Sequence, residues 1–308
     1  MPERADVVVC GAGVAGLSTA LTLQQRGHRV VIVARDLPAA TTSAVAAAIW
    51  YPYLASPRER VRYWSSVTYA RLRELASDPA TGVCMQPTVE LLPPGHAAPD
   101  WLDDSPCEAV RTDEGVRCTV PVCDTRRYLP WLLQRFRDGG GVLHQQKLTR
   151  LDDAFAFARA VINCTGLGAR ELCADDALVA VRGQVVIARG MALPHALIDD
   201  TGEQPVYAVP RGDELVLGGT AQHGDERTVA DAADTVRILA DCAARQPALR
   251  DVAVVSVRVG LRPFRSAVRV EREQHARGVV VHNYGHGGSG FTLSWGCASD
   301  AASMLRYA

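Results

Sequence analysis

The sequence predicts an α/β fold in which a nucleotide-binding domain, assembled from separated stretches, is interleaved with a second domain of antiparallel strands. Three observations predict it. A glycine-rich turn near the start joins a short apolar run to a helical pattern. A second glycine-dense turn follows an apolar run near the end. Between them, several short apolar runs are separated by turn residues, as in antiparallel strands.

Val7-Val8-Val9 is a continuous apolar run, the pattern of a parallel strand buried on both faces. Val14, Leu17, Leu21 and Leu23 then recur at roughly helical spacing as far as Gln25, giving an amphipathic helix that Gly27 stops. Residues 30–33 form a second apolar strand, which completes a β-α-β unit. A helix is expected over 58–75, with Ser56 as its cap, Pro57 in the first turn and Glu59 completing a capping box. Trp64, Tyr69 and Leu72 are its core candidates. Residues 93–105 carry Pro, Gly and Asp and read as loop. A helix over 126–137 ends at Gly139-Gly140-Gly141, and strands follow at 142–146 and 160–162. Strands over 184–187, 206–209 and 214–217 are expected to be antiparallel. A helix is expected over 227–245, strands over 252–259 and 279–282, and a final helix from about Thr292.

Lys and Arg number 33 and Asp and Glu 34, so the net charge is −1. That balance lacks the basic excess of nucleic-acid or membrane-surface binders. No apolar run approaches the roughly 20 residues that span a bilayer. The nine cysteines include no Cys-x-x-Cys pair, so no metal site is expected. Cys10 and Cys164 end apolar runs and read as small buried residues in a reducing cytosol. The start, MPERADVVVCGAG, reads as structure rather than signal peptide, and the end is no peroxisomal address. A cytoplasmic, bacterial enzyme is the expectation that the many Ala and Arg residues support.

Gly11-Ala12-Gly13-Val14-Ala15-Gly16 is a GxGxxG turn between a strand and a helix. Gly11 permits the tight turn, Gly13 admits a pyrophosphate to the backbone, and Gly16 lets helix and strand pack closely. The helix N-terminus offers N–H groups to the phosphates. An acidic residue is expected about 20 positions on, for the ribose, and Arg35 and Asp36 are the candidates there. The turn is Rossmann-like; by itself it does not choose between NAD and FAD. The second turn, Gly285-His286-Gly287-Gly288-Ser289-Gly290, favours FAD, because a long cofactor with a flavin ring needs two such approaches. His282 and His286 lack neighbouring carboxylates and read as structural. Arg258, Arg262 and Arg265 are candidates for clamping a carboxylate, or else surface charges.

Taken together, VVVCGAGVAGLSTAL, VARDLP, TTSAVAAAIWYPY, VINCTG, VRGQVV, VYAVP, LGGT, GLRPFR and HNYGHGGSGFTLSWGCA resemble, in order, the D-amino-acid oxidase family of FAD flavoproteins. The resemblance spans almost the whole chain. It implies a Rossmann-like FAD-binding domain from residues 1–54, 140–183 and 275–308. The interleaved antiparallel-sheet substrate-binding domain would take 55–139 and 184–274. It implies that Arg262 holds a substrate carboxylate, that Tyr207 adds a hydroxyl, and that the Gly288 carbonyl accepts from the substrate amine. Ala12, Gly13, Val14 and Ala15 would wrap the pyrophosphate, Arg35 and Asp36 would sit by the adenosine, and Thr42 and Ser43 would contact phosphate. Ala48, Ile49, Gly287, Gly290, Phe291 and Thr292 would line the flavin, with Leu148 and Thr165 along the cofactor.

The chain departs from the animal enzymes of that family at Tyr51, Glu203 and Ser289; the resemblance places Tyr51, Ile49 and Ser289 in the substrate pocket. The segment between Ile198 and Tyr207 is shorter, so an active-site lid is expected to be missing. Ala221 and Tyr53 stand where the D-aspartate branch carries cationic residues, which disfavours D-aspartate. The implied reaction is hydride transfer from the Cα of a D-amino acid to flavin N5, giving a 2-oxo acid, ammonia and hydrogen peroxide. A glycine- or sarcosine-type oxidase and a dehydrogenase with another acceptor are the rivals. The expected partners are a small D-amino acid and molecular oxygen, with no nucleic acid and no membrane; a homodimer is left open.

Overall fold

A computed structural model describes residues 5–305 except 54, 94, 97, 98, 100, 103 and 104. The expectations about the first four residues, about 306–308 and about part of 93–105 lie outside the described residues.

In chain order the elements are β1 (Val7–Cys10), α1 (Val14–Gln25), β2 (Val30–Ala34), α2 (Thr42–Val45), α3 (Arg58–Leu75), β3 (Val83–Leu91), β4 (Val110–Thr112) and β5 (Gly115–Cys123). Then come α4 (Thr125–Asp138), β6 (Val142–Gln145), β7 (Ala160–Asn163), α5 (Ala169–Leu172), β8 (Val179–Arg189), β9 (Ala196–Asp199), β10 (Val206–Arg211) and β11 (Glu214–Gly218). The chain finishes with β12 (Gln222–His223), α6 (Ala232–Arg245), β13 (Ala253–His275), β14 (Gly278–His286) and α7 (Gly290–Ser303).

The strands form one continuous path, β4-β5-β3-β9-β10-β11-β8-β13-β14-β7-β1-β2-β6, with β12 beside β8. From β14 to β6 every pairing is parallel. From β9 to β14 the pairings are antiparallel. Helices α1 and α7 pack on each other beside the parallel strands, with α3 behind α7. β1 and β2 are buried along their whole length, as their continuous valine runs require. Residues 183 and 184 fall inside β8, so the sheet runs unbroken through that position.

Four expectations are corrected. Helix α1 is buried on nearly every side rather than amphipathic: Ser18, Thr19 and Thr22 are as hidden as Leu17 and Leu21. Their burial is tolerable because Thr19 and Thr22 donate to the carbonyls of Ala15 and Ser18. Helix α3 is capped by Pro57 without a side-chain hydrogen bond, so the Ser56–Glu59 capping box does not form. The Ser56 carbonyl instead accepts from Val268 of β13. Helix α6 starts at Ala232, not at 227, because Asp231 caps it by accepting from the amides of Ala233 and Asp234. The last helix starts at Gly290, in the glycine turn itself.

Candidate active site

A cavity of about 570 Å³ is lined by both the parallel and the antiparallel parts of the sheet. At one end lies the first glycine turn. Gly11 has φ of +109°, and a side chain there would stand 2.4 Å from the Cys164 carbonyl oxygen. Gly16 lies outside the lining; a methyl group there would stand 2.0 Å from the Gly11 carbonyl oxygen, so it is a packing residue. Ala12, Gly13, Val14 and Ala15 line the cavity with Thr42 and Ser43. The Ser43 hydroxyl accepts from the Val14 amide at 3.0 Å, which places it at the N-terminus of α1. No acidic side chain occupies the first turn of α1, so nothing there repels an anion. Arg35 and Asp36 also line this end and pair with each other at 2.6 Å. Leu148 and Thr165 lie along it, the latter donating to Asn163 at 2.7 Å.

Ala48, Ile49, Gly287, Gly288, Gly290 and Phe291 line the other end. Ala48 has φ of +58°, a left-handed conformation that costs a non-glycine residue on the order of 1 kcal/mol. Two expectations change here. Ser289 and Thr292 are buried outside the lining. The Ser289 hydroxyl accepts from the Tyr53 amide at 2.7 Å and donates to the Tyr53 carbonyl. The Thr292 hydroxyl does the same for Tyr51, at 3.0 and 2.9 Å. The two hydroxyls therefore fix the backbone on which both cavity-lining tyrosines sit. A hydroxyl replaces a backbone partner only across a long sequence separation here, which no local pattern reveals.

Of the three arginines, Arg262 alone lines the cavity. Arg258 faces Glu214 at 3.7 Å and Arg265 pairs with Asp175 at 3.1 Å. Arg262 lies against Gly183: a methyl group there would stand 2.5 Å from the guanidinium carbon. Its Nη1 donates to the Thr220 carbonyl at 2.7 Å, and among the described residues no carboxylate pairs with it. Tyr207 packs on Gly218, where a methyl group would stand 1.9 Å from its ring. Burial pushes the Tyr207 hydroxyl up, and the neighbouring Arg262 opposes that shift, so the two groups face one region. Glycines 183 and 218 sit within quoted stretches of the sequence, yet only the pairing of β8, β11 and β13 shows what they make room for.

His286 lines the cavity and is wholly buried, its Nε2 against the Asn283 side-chain oxygen at 3.0 Å. Burial pulls its pKa down to about 4. Its ring is therefore neutral at pH 7. His282 contacts Glu273 at 3.0 Å and is also held low by burial. The sign for His286 is clear: the unfolded chain binds its proton near 6.5 and the folded chain near 4. Stability is then flat above about 6.5 and falls as pH drops from there to about 4, by up to about 3 kcal/mol. Urea unfolding of wild type and His286→Gln between pH 7 and 4 should show a shallower decline in the variant; parallel curves would contradict it.

Sequence reasoning gave no role to Asp200, which lines the cavity at its mouth, nor to Glu90 behind Tyr51. Glu203 is exposed and outside the lining. Residues 200–205 join β9 to β10 and bring Asp200 and Pro205 to the cavity.

The residues present fit FAD. The carboxylate-free N-terminus of α1 and the bare backbone at Gly11–Gly13 suit a pyrophosphate, and Asp36 stands beside that end for a ribose. In the second glycine turn the open position is Gly290, where a methyl group would meet only Val14, at 3.8 Å.

A family model described as FAD dependent oxidoreductase matches residues 6–304. A D-amino-acid oxidase of Rubrobacter xylanophilus is 44% identical over 313 residues, covering 97% of this chain and 95% of that one. A D-amino-acid oxidase of Dictyostelium discoideum is 35% identical, covering 98% and 92%. The solved glycine oxidase of Bacillus cereus ATCC 14579 aligns with a TM-score of 0.80 at 18% identity, covering 99% and 95%, and shares the fold. Among the described residues no helix is long and apolar enough to cross a membrane. The glycine turns and a full-length match point the same way: the chain belongs to the D-amino-acid oxidase family of FAD-dependent oxidoreductases.

Proposed function

We propose that this enzyme oxidatively deaminates D-amino acids, with neutral, polar or basic side chains favoured over D-aspartate. One observation carries the reading. Arg262, with no carboxylate partner among the described residues, and Tyr207 share a cavity with the dinucleotide-binding turn. A planar guanidinium suits an α-carboxylate, which it binds with two parallel hydrogen bonds. FAD, when bound, supplies the acceptor for two electrons.

The chain's own groups bind and orient. Arg262 and Tyr207 fix the carboxylate, and the Gly288 carbonyl is the proposed acceptor for the amine. Two anchors and the cavity wall then allow one face of Cα to be presented, which selects one enantiomer. No buried side chain has to remove the Cα proton. Burial raises Tyr207 and pushes Tyr53 up to about 12, so both hydroxyls stay protonated and donate. His286 is neutral and already bonded. The Cα hydrogen leaves with both bonding electrons, and the imino acid is hydrolysed by water to a 2-oxo acid and ammonium. Oxygen takes up the two electrons with two protons as hydrogen peroxide.

The test is product analysis of the FAD-loaded enzyme. Equal amounts of 2-oxo acid, ammonium and peroxide from D-alanine, with none from L-alanine, are expected. Turnover of glycine and N-methylglycine above D-alanine would favour the glycine-type reading. Oxo acid without peroxide would favour a dehydrogenase.

A further inference from the structure

The cavity carries charge that the oxidation itself does not use. Asp200, the residue after β9, lines the mouth and is open to solvent. Among the described residues it has no cationic partner; its neighbour Asp199 is taken by Arg245 at 3.0 Å and by Thr201. Glu90 lies on β3, which runs parallel to β9, with Glu90 opposite Ile198. Glu90 is 5% exposed. One of its oxygens accepts from the Tyr51 hydroxyl at 2.9 Å, and the other, Oε2, has no hydrogen-bond partner among the described residues.

The two carboxylates act on the same wall. Tyr51 stacks on Tyr53, with ring centroids 6.5 Å apart, and both rings line the cavity. Asp200 acts electrostatically on both hydroxyls and on Glu90. Arg262 acts on the Tyr53 hydroxyl with the opposite sign, so Tyr53 is within electrostatic reach of both Arg262 and Asp200. Burial, with a smaller contribution from the Asp200 charge, pushes Glu90 up to about 7, and partial burial with the neighbouring Asp199 charge pushes Asp200 up to about 6. Such groups are relieved by a cation. An anionic side chain would meet repulsion at the same place, and a neutral one would gain nothing from it.

We propose that Asp200, backed by Glu90, selects D-amino acids whose side chains end in an ammonium or guanidinium group, the stem running along Tyr51 and Tyr53. This rests on the D-amino-acid oxidase reading. With the α-carboxylate on Arg262, which lines the same cavity as Asp200, this selectivity requires a side chain of lysine or arginine length to bring its charge to Asp200. Its methylenes lie against the tyrosine rings, which attract cations as well as apolar stems.

The experiment compares D-lysine and D-arginine with D-norleucine at pH 8, in FAD-loaded wild type, Asp200→Asn, Asp200→Lys and Glu203→Gln. The ratio of kcat/KM for D-lysine to D-norleucine should fall about tenfold in Asp200→Asn, mostly through KM, as for one partly desolvated charge pair. In Asp200→Lys the ratio of D-glutamate to D-lysine should rise. Glu203→Gln removes one charge outside the cavity and should leave the ratio as in wild type. An unchanged ratio in both Asp200 variants, with D-norleucine still oxidised, overturns the assignment alone. Failure of wild type to oxidise any D-amino acid overturns the underlying reading and this inference with it.

Discussion

Arg262→Ala lowers kcat/KM for a neutral D-amino acid by about a thousandfold, while FAD stays bound. The size follows from removing the cationic partner of a buried carboxylate, about 4 kcal/mol. The guanidinium is held in place at the cavity wall. Gly183 makes room for it, and the Thr220 carbonyl takes one arm at 2.7 Å, leaving the rest of the fork toward the cavity. Arg262→Lys keeps the charge but loses the paired geometry, so an intermediate loss is expected. Steady-state kinetics, with the flavin absorbance as a check on folding, measure it. A loss below tenfold for alanine would remove Arg262 from the carboxylate site.

Gly16→Ala has the second largest effect, on the cofactor rather than on the substrate. A methyl group there would stand 2.0 Å from the Gly11 carbonyl oxygen and 2.8 Å from its carbon, both backbone atoms. Helix α1 must then move off the turn, and overpacking of this kind costs about 1–3 kcal/mol or more. The N-terminus of α1 moves with it, so FAD affinity should drop by about a hundredfold. Gly290→Ala is the contrast, since its methyl would meet only Val14 at 3.8 Å. FAD titration of both apoproteins and their thermal unfolding check this. Equal affinity in Gly16→Ala and wild type would contradict the packing role.

The legible parts of the fold were local. β1, the glycine turn, α1 and β2 follow one another in the chain, so valine runs and glycine spacing sufficed. The illegible parts depend on distant partners. Residues 227–231 read as helix, yet the buried Arg182 guanidinium takes the Arg227 and Val229 carbonyls at 3.0 and 2.8 Å. Those carbonyls then serve Arg182, and the helix begins only after Asp231. β13 was legible over 252–259 but runs to His275, because β8 and then β14 supply its partners.

The site divides the same way. Motifs and resemblance pointed to Arg262, Tyr207 and the two glycine turns, and these border one cavity. Glycine turns carry a geometry that few other residues can adopt, and that makes them visible in sequence. Ser289 and Thr292 were misread as lining residues. Their hydroxyls are spent on the backbone of Tyr53 and Tyr51, more than 230 residues away in the chain. Asp200 and Glu90 carry no motif and meet only because β3 lies beside β9.

The central claim is that FAD and a D-amino acid meet in this cavity, and the visible spectrum of the purified, FAD-loaded protein under anaerobic conditions tests it most directly. Addition of D-alanine should bleach the flavin band, and L-alanine at the same concentration should leave it intact. A protein that shows no flavin band after FAD is added, or whose band L-alanine bleaches as readily as D-alanine, would contradict the account.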